Sequence, residues 1–430
     1  MTITVVGHGY VGLVTACVFA DYGNKVWVIG HTKEKIARLK NGDPIIYEPG
    51  LKELLQKNLQ AKRISFTLDY EKAIPESEIV FITVGTPPKE NGETDLTSVV
   101  DVVRKIAKNL KKGFTVISCK STVPVGTNKK IEIIIKRHKQ KSAEFAVSSV
   151  PEFLREGTAL HDTLNPDRVV IGSESKKATE LLLQLHQPIN GKRVITNLSS
   201  AELIKYVSNA MLATKISFAN LISLYCEKVN ADVEIVLEAV GQDTRIGRDF
   251  LYPGVGYGGS CLPKDVKAFI SIGKNININT DFFNSIELVN STVRKNFTKK
   301  IINNAPGKKL AVLGLSFKPN TDDVREAPSL YIIDDLLKAG FELKAYDPAA
   351  TDNVKKIMAD KIKYVKDPYQ AIEKADALVI ITEWNEFKQI DLVKVKKLLN
   401  QPYIFDGRNI YLTETMKKLG FKYFSIGRPS

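Results

Sequence analysis

Six residues near the amino terminus, "GHGYVG", leave this chain few folds to choose from. They set Gly7, Gly9 and Gly12 directly after the β-branched run "TITVV" and directly before the helix-like run "LVTACVFADYG". Glycine at those places permits a tight turn, a close backbone approach to a ligand and a helix packed hard against its strand. The helix start that follows gathers unpaired N–H groups and the positive end of the dipole, which suits a pyrophosphate. A GxGxxG pattern alone is weak; between a strand and a helix it predicts a dinucleotide site opening a doubly wound sheet. Tyr10 and Val11 lie inside the loop and belong to the same expected cofactor site.

The stretches that follow keep the alternation going. "KVWVIG", "IVFITVG", "FTVISC", "FAVSSV" and "DRVVIG" are β-branched, bounded by turn residues and mostly separated by amphipathic segments, which predicts a parallel sheet covered by helices. From about Ser199 the pattern changes to "SSAELIKYVSNAMLATKISFANLISLYCEKV", apolar at helical spacing with no internal Gly or Pro, hence one long helix. Near Lys308 a second block begins: "KKLAVLGLSFKP" and "FELKAYDP" repeat the order and spacing of the first two strands, and "DALVIITEW" and "PYIFDGR" continue the series. This reads as a second, degenerate nucleotide-binding fold whose second strand ends in an acid, Asp347. The expected class is α/β, two Rossmann-like doubly wound domains joined by a long central helix, with domains at 1–198, 199–304 and 305–430. A chain of 430 residues is long enough for that division.

Composition narrows the partners. The formal charge is +14, from 62 Lys and Arg against 48 Asp and Glu, but the lysines are interleaved with acids along the chain. That pattern argues against a nucleic-acid-binding arm and for a solvated surface that favours small anionic ligands. No apolar run reaches the ~18 residues needed to cross a bilayer, and the start reads as a core strand rather than a signal peptide, so no membrane partner and a cytoplasmic location are expected. Cys17, Cys119, Cys226 and Cys261 form no CxxC pair, which points away from a disulfide framework or a zinc site; no metal is expected.

Two places carry the chemistry. The first is the end of "KVWVIG", where a carboxylate usually accepts from the ribose 2′-hydroxyl of NAD and repels the 2′-phosphate of NADP. Gly30 stands there instead, followed by His31, Thr32, Lys33 and Lys35, which offer donors and positive charge suited to a phosphate. Either the site accepts NADP or it holds NAD with a weaker ribose grip. The second is "GVGYGGSCLPKDVKAF", which sets Cys261 after a glycine cluster, with Lys264 and Asp265 close behind. Proline just past the cysteine suits a first helical turn, so the thiol is expected at a helix N-terminus, where dipole and ammonium favour the thiolate.

With these motifs in place, the chain resembles the UDP-glucose/GDP-mannose dehydrogenase family nearly end to end. The resemblance is carried by "GHGYVG", "PIIYEPGL", "VGTPP", "STVPVGT", "PEFLREG", "PDRVVIG", "ELIKYVSNAMLATKISFAN", "RIGRDFL", "GVGYGGSCLPKD", "SFKPNTDDVREAPS" and "IGRP". It implies a four-electron oxidation of the primary alcohol of UDP-glucose to UDP-glucuronate, with NAD as cofactor and a thiohemiacetal and a thioester on Cys261. It further implies that Lys205 and Asn209, four apart on one helix face, stabilise oxyanions, that Asp265 and Thr122 serve water and protons, and that Glu152 handles protons. Glu156, expected on the same helical face as Glu152, would lie nearer the nicotinamide, with Gly85, Thr86, Thr122, Lys264 and Arg325 also on the cofactor side. Glu152, Phe153, Leu154, Lys205, Asn209, Tyr257, Gly258, Phe317, Lys318 and Arg408 are expected around the UDP-sugar. Arg245 resembles a residue supplied to a neighbouring subunit, which implies at least a homodimer.

Some residues depart from the family pattern. Val150 replaces an asparagine usual before "PEFL", Leu221 replaces a glutamate frequent after "FAN", and Gly30 replaces the ribose-binding acid. Sister enzymes that oxidise GDP-mannose or UDP-N-acetylhexosamines remain alternatives, although "GGSCLP" is nearer the UDP-glucose type than the "GGHCIP" of the hexosamine enzymes. A non-catalytic nucleotide-sugar sensor is a further alternative, against which the intact Cys261, Lys205, Asn209 and Asp265 speak.

Overall fold

The β-branched runs become the centres of two sheets. A computed structural model describes residues 1–429, which divide into two compact units with the boundary between Ser208 and Asn209. In the first unit, strands β1 (Thr2–Val6), β2 (Lys25–Ile29), β3 (Ile64–Thr67), β4 (Ile79–Ile82), β5 (Gly113–Cys119), β6 (Ala143–Ser149), β7 (Arg168–Ser173) and β8 (Lys192–Thr196) form one sheet in the order β3-β2-β1-β4-β5-β6-β7-β8. Side chains alternate across it as a pleated strand requires. Ile3, Val5, Val28 and Phe81 pack on one face with Leu13 and Phe19 of helix α1 (Tyr10–Asp21), while Val6, Ile29, Val80 and Ile82 pack on the other with Val103 and Ile106. Phe19 stacks on Phe81 at 5.7 Å between ring centroids, and burying each such ring contributes about 2 kcal/mol.

The sheet is not parallel throughout, as the sequence pattern predicted. β7 runs antiparallel to β6, pairing Ser148 with Ser173 and Ser149 with Gly172, while β8 runs parallel to β7. The reason lies in the connection. Residues 150–167 contain only one short helix, Ala159–Leu164, and lead into the neighbouring strand from the same end of the sheet, so the chain reverses.

The second unit repeats the architecture. β9 (Lys309–Leu313), β10 (Glu342–Tyr346), β11 (Lys363–Tyr364), β12 (Ala377–Ile380), β13 (Tyr403–Asp406) and β14 (Lys422–Phe424) form an all-parallel sheet, β11-β10-β9-β12-β13-β14. Both sheets reverse strand order beside their first strand, between β1 and β4 and between β9 and β12. In doubly wound sheets ligands bind at the carboxyl ends of the strands flanking such a point. The long helix is a single element, Leu198–Val229, hereafter the central helix. Among the described residues no helix is long and apolar enough to cross a membrane.

Candidate active site

The glycine loop is built as its spacing predicts. Gly7 adopts φ +122°, and a Cβ there would meet the Thr83 carbonyl oxygen at 2.7 Å. A Cβ on Gly12 would come within 2.2 Å of the Gly7 carbonyl oxygen, so the third glycine lets α1 seat against the turn. Gly9, the residue before α1, has nothing within 4 Å of where its Cβ would be. Two glycines thus pack the loop and the middle one leaves an open flank toward the helix N-terminus, where a pyrophosphate fits. No acidic residue stands in the first turn of α1 to oppose it.

Loops from β4 and β5 lie beside this turn. Thr86 donates to the Thr122 carbonyl at 2.9 Å and Ser121 to the Val84 carbonyl at 2.7 Å, so the Gly85–Thr86 and Thr122 segments are tied together. Glu202 of the central helix accepts from the backbone N–H groups of Gly126 and Asn128, both at 2.7 Å, holding the same loop from below. Tyr10 donates its hydroxyl to the Tyr47 carbonyl.

The "PEFLREG" segment is not a helix, so Glu152 and Glu156 do not share a helical face as expected. Its backbone amides are satisfied by carboxylates instead: Leu154 N–H donates to Glu152 at 2.7 Å, Arg155 N–H to Asp162 at 2.9 Å, and Gly157 N–H to Glu48 of "PIIYEPGL" at 2.7 Å. That irregular backbone turns Glu152 toward the central helix, where its Oε1 lies 3.1 Å from the Lys205 ammonium. Glu152 is 8% exposed and Lys205 3%. Phe153 sits under both Lys205 and Arg168, with its ring centroid 5.3 and 4.0 Å from them.

Sequence reasoning missed one member of this group. Lys120 follows the last residue of β5 and donates to the Val150 carbonyl at 3.5 Å. Burial pulls its ammonium down to about 8; Glu152 opposes that shift and Lys205 adds to it. Its position at the carboxyl end of a central strand was the available signal.

The second unit gathers the thiol and its neighbours. Cys261 is exposed and occupies the residue before helix Leu262–Asn275, with Pro263 in the first turn, as predicted. Asp265, 1% exposed, accepts from the Asn209 side-chain amide at 2.5 Å through one oxygen and from the Lys264 ammonium at 2.6 Å through the other. The other three cysteines are buried, and burial pushes the Cys17 and Cys119 thiols up to about 12, which leaves them inert at neutral pH.

The loop ahead of Cys261 meets the "SFKPNTDDVREAPS" loop. A Cβ on Gly258 would strike the Glu326 carbonyl oxygen at 2.3 Å, and one on Gly259 would strike the Phe317 ring at 2.6 Å, so these glycines let the two loops touch. Tyr257 donates to Glu287 at 2.6 Å, and Lys318 lies 5.6 Å from the centroid of Phe317. Arg408 is partly buried: its Nε donates to the Ile381 carbonyl at 2.8 Å and lies 3.3 Å from Glu383, and it abuts Gly254 of the same loop. Arg325 and Arg245 are exposed and form ion pairs of 2.6 Å with Asp323 and Asp243. Arg245 is not drawn into either group. The central helix carries Lys205 of the first group and Asn209 of the second one turn apart.

A doubly wound sheet with an open glycine turn, a buried Lys–Glu pair and a thiol at a helix start defines a dinucleotide-dependent dehydrogenase equipped for covalent chemistry. The chain belongs to the UDP-glucose/GDP-mannose dehydrogenase family: residues 1–190 match its NAD binding domain, 199–292 its central domain and 311–413 its UDP binding domain. It is 47% identical to the UDP-glucose 6-dehydrogenase TuaD of Bacillus subtilis over 100% of this chain and 93% of the relative. It is 43% identical to a UDP-glucose 6-dehydrogenase of Rhizobium meliloti over the whole of both chains. A UDP-glucose dehydrogenase structure from Pyrobaculum islandicum superposes with a TM-score of 0.93 at 34% identity, covering 100% of this chain and 98% of that one. This protein is an oxidoreductase that uses NAD or NADP.

Proposed function

We propose that this enzyme oxidises the C6 alcohol of UDP-glucose to the carboxylate of UDP-glucuronate. The observation that carries the reading is the pairing of buried Lys205 with Glu152, and of Asn209 with buried Asp265, one turn apart on the central helix. The bound dinucleotide supplies the acceptor for a hydride, once from the alcohol and once more after a second molecule has replaced the first. The chain's own groups do the rest. In this reading Glu152 accepts the hydroxyl proton, and Lys205 and Asn209 donate to the oxyanion that forms at C6. The Cys261 sulfur adds to the aldehyde carbon to give a thiohemiacetal; its oxidation leaves a thioester, which water opens to the acid and the thiol. Asp265 and Thr122 orient that water. Gly85, Thr86, Glu156, Lys264 and Arg325 line the cofactor side, and Phe153, Leu154, Tyr257, Gly258, Phe317, Lys318 and Arg408 hold the UDP-sugar. A nucleophilic thiol needs a reducing compartment, which fits the cytoplasm.

The test is progress of the reaction with each sugar nucleotide. UDP-glucose is expected to yield two reduced dinucleotides per sugar and UDP-glucuronate, with GDP-mannose and UDP-N-acetylhexosamines at least about tenfold slower in kcat/KM. Faster turnover of a sister sugar would reassign the substrate, and no turnover of any would favour a nucleotide-sugar sensor.

We further propose a homodimer through the central helix. Leu203, Val207, Met211, Phe218, Leu221, Tyr225 and Val229 are 38 to 70% exposed. At 100° per residue they fall within a sector of about 80°, and Lys205 and Asn209 point roughly 160° away from its centre. An apolar stripe of that length on a water-facing helix favours a second copy, leaving the reactive face inward. Leu221, in place of a glutamate, extends the stripe. Sedimentation should show a dimer that Met211→Lys with Tyr225→Lys turns into monomer; a wild-type monomer at micromolar concentration would end the proposal.

A further inference from the structure

The adenosine ribose of a dinucleotide lies at the end of the second strand of such a sheet, and this chain has rebuilt that place. Gly30 offers no acceptor there. A Cβ on Gly30 would come within 2.6 Å of Ile36 Cδ1 and 3.1 Å of His8 Nδ1. The imidazole nitrogen of His8 therefore stands beside the spot from which a carboxylate would project. His8 is 4% exposed, and its Nδ1 has no hydrogen-bond partner among the described residues. A buried nitrogen left unbonded costs free energy that an arriving ligand can recover.

The surroundings of this nitrogen are positive. The His31 ring lies 4.8 Å from the His8 ring, and burial, followed by His31 and Lys35, lowers the His8 pKa to about 4. Burial opposes a charge of either sign, but the positive charge of Lys35, and of His31 when protonated, favours an anion at this place. Lys33 and Lys35 open helix α2 (Lys33–Lys40), and Thr32 precedes it without a side-chain capping bond, so its hydroxyl is not spent on the backbone. Glu34 is the only acid from Gly30 to Lys40.

We propose that this pocket recognises a 2′-phosphate on the adenosine ribose, with His8 as the specificity-determining contact and His31, Thr32, Lys33 and Lys35 as its basic rim, so that NADP is the preferred dinucleotide. The proposal rests on the dehydrogenase reading above and narrows its cofactor. A carboxylate at position 30 would repel the phosphate and engage His8; glycine removes both effects. A bare ribose hydroxyl can meet His8 but leaves the surrounding cations unmatched.

Calorimetric titration of the intact chain with NADP and with NAD, without sugar, reads the preference independently of turnover. NADP is expected to bind at least about tenfold more tightly than NAD, as charge-assisted contacts to a phosphate imply. His8→Ala should reduce NADP affinity about tenfold and NAD affinity less than about twofold. Because His8 is buried in the glycine loop, Lys35→Ser provides a surface variant with the same expected signature. Gly30→Asp should reverse the preference, once the Ile36 side chain, 2.6 and 2.9 Å from its Cβ, has turned aside and His8 Nδ1, at 3.1 Å, has given way by a few tenths of an ångström. Tighter binding of NAD, or equal losses for both dinucleotides in Lys35→Ser, would overturn the proposal. Oxidation of UDP-glucose with NAD alone would do the same while leaving the dehydrogenase reading standing. Failure of both dinucleotides to bind would bring down the two readings together.

Discussion

Cys261→Ser is expected to stop acid formation almost completely. The first oxidation, from alcohol to aldehyde, needs no sulfur, so one reduced dinucleotide per sugar can still form. The second needs a carbonyl adduct that can lose hydride and then release the acyl group, and a serine hydroxyl is both a weaker nucleophile at neutral pH and a poorer leaving group. UDP-glucuronate production should fall by about a thousandfold or more. The thiol's exposure and its place at the start of Leu262–Asn275 mean that the substitution disturbs no core packing. The measurement is the yield of reduced dinucleotide and of acid in a single-turnover reaction. Acid formed at the wild-type rate would eliminate the thioester route.

Lys205→Met should have the second largest effect, and it should appear in two separate readouts. The ammonium is 3% exposed and lies 3.1 Å from Glu152, itself 8% exposed, so removing it leaves a buried carboxylate without its cation. Breaking a buried pair from one side typically costs about 3 kcal/mol of stability. Loss of an oxyanion donor should lower kcat by about a hundredfold to a thousandfold. The double variant Lys205→Met with Glu152→Gln separates the two effects. Its thermal stability should recover part of the loss, because the buried carboxylate is removed together with its Lys205 partner, while kcat stays low. A single variant with kcat within about threefold of wild type would remove Lys205 from the oxyanion role.

Six of the eight strands of the first sheet were visible as β-branched runs, whereas β3, β8, β11 and β14 were not. Each of the four lies at a sheet edge or next to it, and β11 and β14 span only Lys363–Tyr364 and Lys422–Phe424. So few residues, half of them facing solvent, leave no run to detect. Asp347 offers a sharper lesson. At the end of the second strand of its sheet it matches a ribose-binding acid in position, yet it is buried and its oxygens accept from the amides of Leu315, Ser316, Ala349 and Ala350. The acid holds its own loops together and has no capacity left for a ribose. Glu152 shows the converse, since a helical reading of "PEFLREG" was locally reasonable and failed because nearby carboxylates satisfy those amides.

Local order in the chain was enough to establish the two doubly wound sheets, the long helix, the glycine turn and the cysteine at a helix start. Strand and helix periodicity, glycine spacing and proline placement act over a few residues, so they can be read without knowing the neighbours. Folding in three dimensions decided which acids react and which merely brace the backbone. It paired Glu152 with Lys205, brought Lys120 beside them, turned β7 against β6 and put the unbonded nitrogen of His8 where Gly30 lacks a carboxylate. Those outcomes depend on burial and on which hydrogen-bonding groups remain to be satisfied once distant segments have packed, and no short window of sequence contains that information.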